Sequence, residues 1–248
     1  MNKIGIIGGS GLDDPSLFEV SRDMAVSTPY GEPSSSLREG SIGGVPVVLM
    51  ARHGRSHTIP PTQVNYRANL WALREAGCTH VLASTAVGSL REEIERGDLV
   101  IPDQFIDFTR SRQLSFFEAF EPGNPVHTAM AEPFDAAMRR ALADELSALG
   151  YRFHEGGTVI TIEGPRFSTR AESRMFRIWG ADIINMSIAT EAIMANELGI
   201  PYAAVAMSTD YDSWKEDDVV TWEAILAVAQ SNAEKVLELF RRVVPKLA

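Results

Sequence analysis

An α/β fold, a mixed and mainly parallel twisted sheet flanked by helices, is predicted by three observations. Short β-rich runs recur along the 248 residues, several of them apolar from end to end, as suits strands covered on both faces. Helical patterns lie between the runs. Each of the first four such patterns stops at a glycine, the residue that best accepts a left-handed C' position.

The elements follow in order. Lys3–Ile7 opens the chain as a strand and enters a glycine turn at once; Val45–Met50 is a second strand. Thr62–Ala76 reads as a helix ended by Gly77, followed by strands at His80–Ala83 and Leu99–Ile101. From Arg110 to Met130 no periodicity is visible, and a long irregular stretch in a compact fold is commonly an active-site or subunit-contact loop. Pro133–Leu149 with Gly150, the strand Thr158–Ile162, Thr169–Trp179 with Gly180, the strand Asp182–Ile184 and Ser187–Leu198 with Gly199 continue the alternation. Tyr202–Met207 is a last apolar strand. A final helix from about Thr221 to Val243 carries Ile225, Val228, Val236, Leu239, Phe240 and Val243 at helical spacing, and Pro245 stops it. With no internal repeat and no Pro/Ser-rich linker, one domain over 1–248 is expected.

Composition narrows the function. The chain is 45% hydrophobic and 23% charged, an ordinary globular balance, and its formal net charge of -10 argues against a nucleic-acid partner, which needs clustered Lys and Arg. A small anion is still compatible, because a few local cations and backbone amides suffice to hold one. Cys78 is the one cysteine, so no intrachain disulfide and no thiolate metal cluster can form. The N-terminus lacks the long apolar region of a signal peptide, and no run of about 18 apolar residues is present to span a bilayer. A cytoplasmic protein with no membrane partner is expected.

Polar residues that follow the strands carry the candidate chemistry. Gly8-Gly9-Ser10-Gly11 is either an anion-holding loop, with Ser10 adding a hydroxyl, or a plain tight turn. Ala51-Arg52-His53-Gly54-Arg55-Ser56-His57 puts forked donors after a strand, where α/β proteins place ligands. His53 and His57 are spaced like metal ligands, but no third ligand cluster supports a metal. Arg-His-Gly also resembles the phosphoacceptor segment of histidine phosphatases, although in that family it sits on the first strand. Ser84-Thr85-Ala86-Val87-Gly88-Ser89 is a third oxyanion-compatible segment. Phe167, within Glu163-Gly164-Pro165-Arg166-Phe167-Ser168, can stack on a base and Met186 can lie against a sugar; core packing is the alternative for both. Asp210 and Asp212 follow the strand Tyr202–Met207, where a buried acid can act as proton donor and a solvated one is only a turn residue.

Taken in order, these segments resemble the trimeric purine nucleoside phosphorylase family over nearly the whole chain. The resemblance is carried by Gly8-Gly9-Ser10-Gly11-Leu12, Ala51-Arg52-His53-Gly54-Arg55, Val64-Asn65-Tyr66-Arg67-Ala68-Asn69, Thr161-Ile162-Glu163-Gly164-Pro165-Arg166-Phe167 and Thr209-Asp210-Tyr211-Asp212-Ser213-Trp214. It is nearest to the branch that cleaves 5'-methylthioadenosine. It implies that Ser10, Arg52, His53, Thr85, Ala86 and Ser187 surround phosphate, with Ala86 acting through its amide. Phe167, Ser168 and Met186 would flank the nucleoside, the Met186 backbone meeting a sugar hydroxyl, while Asp210 and Asp212 face the purine as the catalytic pair. His127 would reach a neighbouring subunit near the 5' substituent of a homo-oligomer, a trimer by resemblance. Trp222, Ile225 and Leu226 would line the 5' pocket, Trp222 being bulkier than the residue usual there.

The resemblance also implies a base. Relatives acting on 6-oxopurines carry Asn where this chain has Asp210 and Glu where it has Ser168, so adenine is favoured: a carboxylate accepts from the 6-amino group and a protonated carboxyl donates to N7. Broader action on adenosine, inosine or methylthioinosine is the alternative. No cofactor and no metal are implied; inorganic phosphate is a co-substrate. Thr190 in Ile188-Ala189-Thr190-Glu191 stands where the family has Pro, and only a local effect on the helix start is expected.

Overall fold

Strand β1 (Ile4–Gly8) is apolar except for its glycines and buried at every residue, and it lies between two parallel neighbours, β4 (Val45–Ala51) and β5 (His80–Ser89). The structure, a computed structural model, describes residues 2–8, 21–217 and 221–248, without the side chains of residues 21, 222–224 and 227. Around this centre an eleven-stranded sheet runs in the order β2-β3-β4-β1-β5-β10-β9-β7, where β2 is Ser21–Met24, β3 Leu37–Ile42, β7 Gln104–Phe108, β9 Thr158–Ile162 and β10 Ile183–Asn185. From the other edge of β5 hang β11 (Tyr202–Tyr211), β6 (Leu99–Ile101) and β8 (Phe153–Glu155). Pairing is parallel through β4-β1-β5-β11, β10-β9-β7 and β6-β8, and antiparallel elsewhere.

Alternation along the strands explains their apolar sequences. Ile4 and Ile6 with Val47 and Leu49 face α2 (Ala136–Leu149) and α5 (Trp222–Val243), in a cluster with Met138, Leu142, Val236 and Phe240. Ile7 with Val48 and Met50 faces α1 (Tyr66–Glu75) and α4 (Ile188–Glu197), in a cluster with Leu70, Leu73, Ile188 and Ala192. Helices thus cover both faces, which is the arrangement that mainly parallel strands require. A third cluster, Leu90, Ile160, Ile162, Phe176 and Ile184, lies under α3 (Arg170–Ile178).

Local chemistry sets the helix ends. Asn65 caps α1 by accepting from Ala68 N, Asp135 caps α2 by accepting from Met138 N, and Thr169 with Glu172 forms a capping box on α3. Gly150 ends α2 in the left-handed region at φ 69°. Residues 109–132 contain neither helix nor strand, only an isolated bridge between Glu121 and Asn124.

Two strands are longer than their apolar patterns. The sequence ends them at Ala83 and Met207, yet β5 continues to Ser89 and β11 to Tyr211, paired to each other as far as Ser89 with Tyr211. Thr85, Ala86 and Asp210 therefore sit within strands, not in turns that follow them. The register of β11 shifts between Ser208 and Asp210, a bulge of the kind that re-aims side chains beside functional sites. The strands β2, β3, β7 and β8 were not visible in the sequence pattern.

Candidate active site

On one edge of β5, β1 pairs only as far as Ala83, while β10 arrives from the opposite direction and pairs Ile184 with Gly88 and Ile183 with Ser89. Among the described residues Ser84–Val87 have no strand partner on that edge. The gap between two strands that point at each other is the floor of a cavity of about 660 Å³, lined there by Thr85, Ala86, Val87 and Gly88. Strand and loop termini converge on it: Arg52 and His53 after β4, Phe167 and Ser168 after β9, Met186 and Ser187 after β10, and Asp210 and Asp212 from β11.

Arg52 is 1% exposed, and its charge is held by Glu191 of α4. Nε and Nη2 donate to the two Glu191 carboxylate oxygens, Nη1 donates to the Ser84 carbonyl at 2.9 Å, and Tyr202 OH also donates to Glu191 at 2.7 Å. Burial opposes the charge on Arg52, but the Glu191 carboxylate outweighs it and holds the guanidinium protonated. Three of five guanidinium N–H groups are used in these bonds. Among the described residues the other two have no acceptor, and they are available to an oxyanion at the cavity wall. Glu191 had no role in the sequence reading, which expected only a local effect around Thr190.

A second polar chain orders the neighbouring hydroxyls. Asn185 donates from Nδ2 to Thr85 Oγ1 at 3.3 Å, while its Oδ1 accepts from Thr161 Oγ1 at 2.8 Å and from Ser187 N at 3.3 Å. One buried amide therefore fixes two of the residues assigned to phosphate, and its amide type was the only signal the sequence held. Ser187 is the N-cap of α4 yet its side chain makes no capping hydrogen bond, so its hydroxyl stands at a helix N-terminus that attracts anions.

His53 Nδ1 lies 2.9 Å from the Ile59 carbonyl, which can only accept, so Nδ1 carries the hydrogen and Nε2 of the neutral ring is an acceptor. Burial first and the Arg52 guanidinium second push the His53 pKa down to about 4 from the ordinary 6.5. Between those values the unfolded chain binds a proton that the native ring refuses. Stability contributed by this group is thus complete above about pH 6.5 and falls as the pH drops toward about 4. In thermal melts between about pH 8 and pH 5, the native chain is expected to lose more below about pH 6.5 than a His53→Gln variant. Parallel curves for the two proteins would contradict the assignment.

On the opposite wall Asp210 is 5% exposed, and its Oδ1 accepts from Thr209 Oγ1 at 2.7 Å. Asp212 is 3% exposed and accepts from Ser168 Oγ at 2.5 Å. Burial raises the Asp212 pKa against the lowering effect of the Ser168 hydroxyl. Gly88 leaves room for this packing: a Cβ there would lie 3.2 Å from Asp210 Oδ2 and 3.0 Å from Ile184 Cγ2, a tight fit. Phe167 lines the cavity and is 42% exposed, so its ring is accessible to a planar ligand.

The remaining assignments divide. Met186 and Ile225 line the cavity; Leu226 is half-buried and is not part of its wall. Ser10 and the side chain of Trp222 lie outside the described residues. His127 is exposed, edge-on to Phe120 with ring centroids 5.7 Å apart, and is not part of its own chain's cavity. Residues the sequence reading did not single out include Pro61, Ile162 and Ile184, which complete the apolar wall. No group of His, Cys, Asp or Glu able to hold a metal exists among the described residues.

The chain is similar to phosphorylases over nearly its whole length. The S-methyl-5'-thioadenosine phosphorylase of Xenopus tropicalis is 52% identical over 250 residues, covering 99% of this chain and 89% of the relative. That of Danio rerio is 51% identical with the same coverage. The fold is also that of a methylthioadenosine phosphorylase from Schistosoma mansoni in complex with adenine, at TM-score 0.94 and 40% identity over 100% of this chain and 92% of that one. A variant of the Schistosoma mansoni adenosine/methylthioadenosine phosphorylase in complex with methylthioadenosine superposes at TM-score 0.91, with 38% identity over the same shares. None of these is a histidine phosphatase. Since a family model for the phosphorylase superfamily matches residues 3–245, nearly every element that builds the cavity falls within the match, and the chain belongs to that superfamily.

Proposed function

We propose that this chain cleaves the N-glycosidic bond of 5'-methylthioadenosine with inorganic phosphate, releasing adenine and 5-methylthioribose 1-phosphate. The observation that carries the reading is one cavity with a cation and ordered hydroxyls on one wall and two buried carboxyl groups on the other. Phosphate sits against Arg52, His53, Thr85, the Ala86 amide and Ser187, with Ser10 as a further donor. The ribose lies across the Met186 backbone, and the purine stacks on Phe167 and faces Asp210, Asp212 and Ser168. A phosphate oxygen attacks C1', the C1'–N9 bond breaks, and its electron pair passes to the purine, where Asp210 delivers a proton to N7. Positive charge on the sugar meets the phosphate anion, and negative charge on the base meets the acid, so both are stabilised where they develop.

Phosphate acts here as a co-substrate and no cofactor or metal takes part. Ile225 offers an apolar wall to the methylthio group. The working form is a homotrimer in which His127 reaches the neighbour's 5' pocket. Residues 109–132 support this, because they expose Leu114, Phe117, Phe120 and Val126 on one irregular segment; a fully active monomer in sedimentation and dilution assays would contradict it. Among the described residues no helix is long and apolar enough to cross a membrane, and with its lone buried cysteine the protein suits the cytoplasm.

Adenosine is a second substrate to consider, since one solved relative is named for both nucleosides. The test is product analysis with methylthioadenosine, adenosine and inosine, each with and without phosphate. Adenine release that depends strictly on phosphate is expected, fastest from methylthioadenosine. Cleavage without phosphate would make the protein a hydrolase and end the proposal.

A further inference from the structure

Arg112 lies near the start of the irregular segment 109–132, and its side chain is 3% exposed. A guanidinium has five N–H donors, and here all five are engaged. Nε donates to Glu163 Oε1 at 3.1 Å; Nη1 donates to Tyr66 OH at 3.2 Å and to Thr190 Oγ1 at 3.0 Å; Nη2 donates to the carbonyls of Ile162 at 3.3 Å and Glu163 at 2.9 Å. Glu163 is the counter-ion, and its other oxygen accepts from the amides of Arg110 at 2.6 Å and Ser111 at 2.8 Å. Thr190, which stands where the family has Pro, supplies one of the five acceptors. One cation thus joins four separate pieces: its own segment, α1, the end of β9 and the first turn of α4.

Arg112 is not part of the cavity wall, so it touches no substrate. Two of its bonds nevertheless end on the nucleoside side. Tyr66 OH, which accepts from Arg112, donates its single proton to the Met186 carbonyl at 3.1 Å. Burial pushes the Tyr66 phenol up, so the proton stays in place. That carbonyl belongs to the peptide joining Met186 to Ser187, the residues assigned above to sugar and phosphate. The bonds to Ile162 and Glu163 hold the strand end that leads into Gly164, and Gly164 lies so close to Met186 that a Cβ there would overlap its Sδ. The phosphate side has a separate anchor in Glu191.

We propose that Arg112 is a positioning residue for nucleoside binding, acting through Tyr66 on the Met186 carbonyl and through β9 on the loop that carries Phe167. The inference rests on the phosphorolysis proposed above. It makes Arg112 the link between the segment that bears His127 and the sugar-binding backbone, so ordering of that segment and of the nucleoside site go together.

The test varies both substrates in steady-state assays of Tyr66→Phe, Arg112→Lys and the double variant. Tyr66→Phe removes only the hydroxyl link, and a net hydrogen bond is worth about fivefold in an equilibrium constant. It is expected to raise KM for methylthioadenosine about fivefold while KM for phosphate stays within about twofold. Arg112→Lys keeps the charge but loses the fork, and a loss of about tenfold or more in kcat/KM for the nucleoside is expected. Because both residues act in one chain of bonds, the double variant should be no worse than Arg112→Lys. Equal rises in both KM values, fully additive losses, or an unchanged nucleoside KM in Tyr66→Phe would each overturn the proposal; the Tyr66 variant alone decides it if Arg112→Lys does not fold. Calorimetric titration of the same proteins with methylthioadenosine and with phosphate separately reads the split without turnover. A wild-type chain that binds but does not cleave would therefore refute phosphorolysis and leave this inference to be judged by the titrations.

Discussion

Replacing Asp210 with Asn is expected to lower kcat/KM for methylthioadenosine by about 10²–10⁴-fold, the range over which positioned general acids act. The exchange keeps the shape of a side chain that is only 5% exposed, held by Thr209, so the fold has little reason to respond. What changes is chemistry. An amide has no proton to surrender to N7, and it presents a mixed donor and acceptor where the 6-amino group wants an acceptor. Activity on inosine should fall less, or rise relative to methylthioadenosine, because the amide donates to O6. Ser168 limits how far that reversal goes, since its hydroxyl is tied to Asp212 and offers no carboxylate to a 6-oxopurine. The deciding measurement is kcat/KM of the variant for both nucleosides; an unchanged ratio removes Asp210 from the mechanism.

The part of the fold that was legible in the sequence is the part buried on both faces. Val45–Met50, Leu99–Ile101 and Thr158–Ile162 are apolar because helices cover them on either side, and the pattern locates them within a residue of their observed ends. Strands β2 and β3 escaped notice for the opposite reason. Ser21–Met24 is the edge strand and carries the exposed Arg22 and Asp23, while in Leu37–Ile42 only the two end residues are buried and four half-buried residues separate them, so neither shows a continuous apolar run. β5 and β11 were read short because their apolar runs change into Ser84-Thr85 and Ser208-Thr209-Asp210. The change marks where the strands begin to line a polar cavity, not where they end.

Much of the site was legible from residue type at strand ends, and the supports of the site were not. Arg52 and Glu191 are 139 residues apart, and Thr85 and Asn185 are 100 apart, so nothing local in either segment announces the pairing. Arg112 sits in a stretch without periodicity, and its five acceptors come from three other parts of the chain. Burial supplies the missing logic: a charge removed from water must find a partner, so a buried Arg demands a search for the carboxylate that holds it.

That logic makes Glu191→Gln the substitution with the largest expected effect on stability. Glu191 is 1% exposed, as is Arg52, and removing one partner of a buried ion pair costs about 3–5 kcal/mol because the other charge is left uncompensated. In a chain of this size each kcal/mol moves Tm by roughly 2–4 °C, so a fall of about 6–20 °C is expected in phosphate-free buffer. Phosphate should recover part of it, because a bound anion supplies the charge that Arg52 has lost and stabilises the native state by mass action. KM for phosphate should rise as well, since the guanidinium is no longer held to the floor by both Glu191 oxygens. The double variant Arg52→Met/Glu191→Leu separates the two roles: a buried pair exchanged for apolar residues of similar volume is often neutral or stabilising, so its Tm should return toward the native value while its use of phosphate is lost. A Glu191→Gln protein with native Tm and native KM for phosphate would show that Arg52 does not depend on this carboxylate.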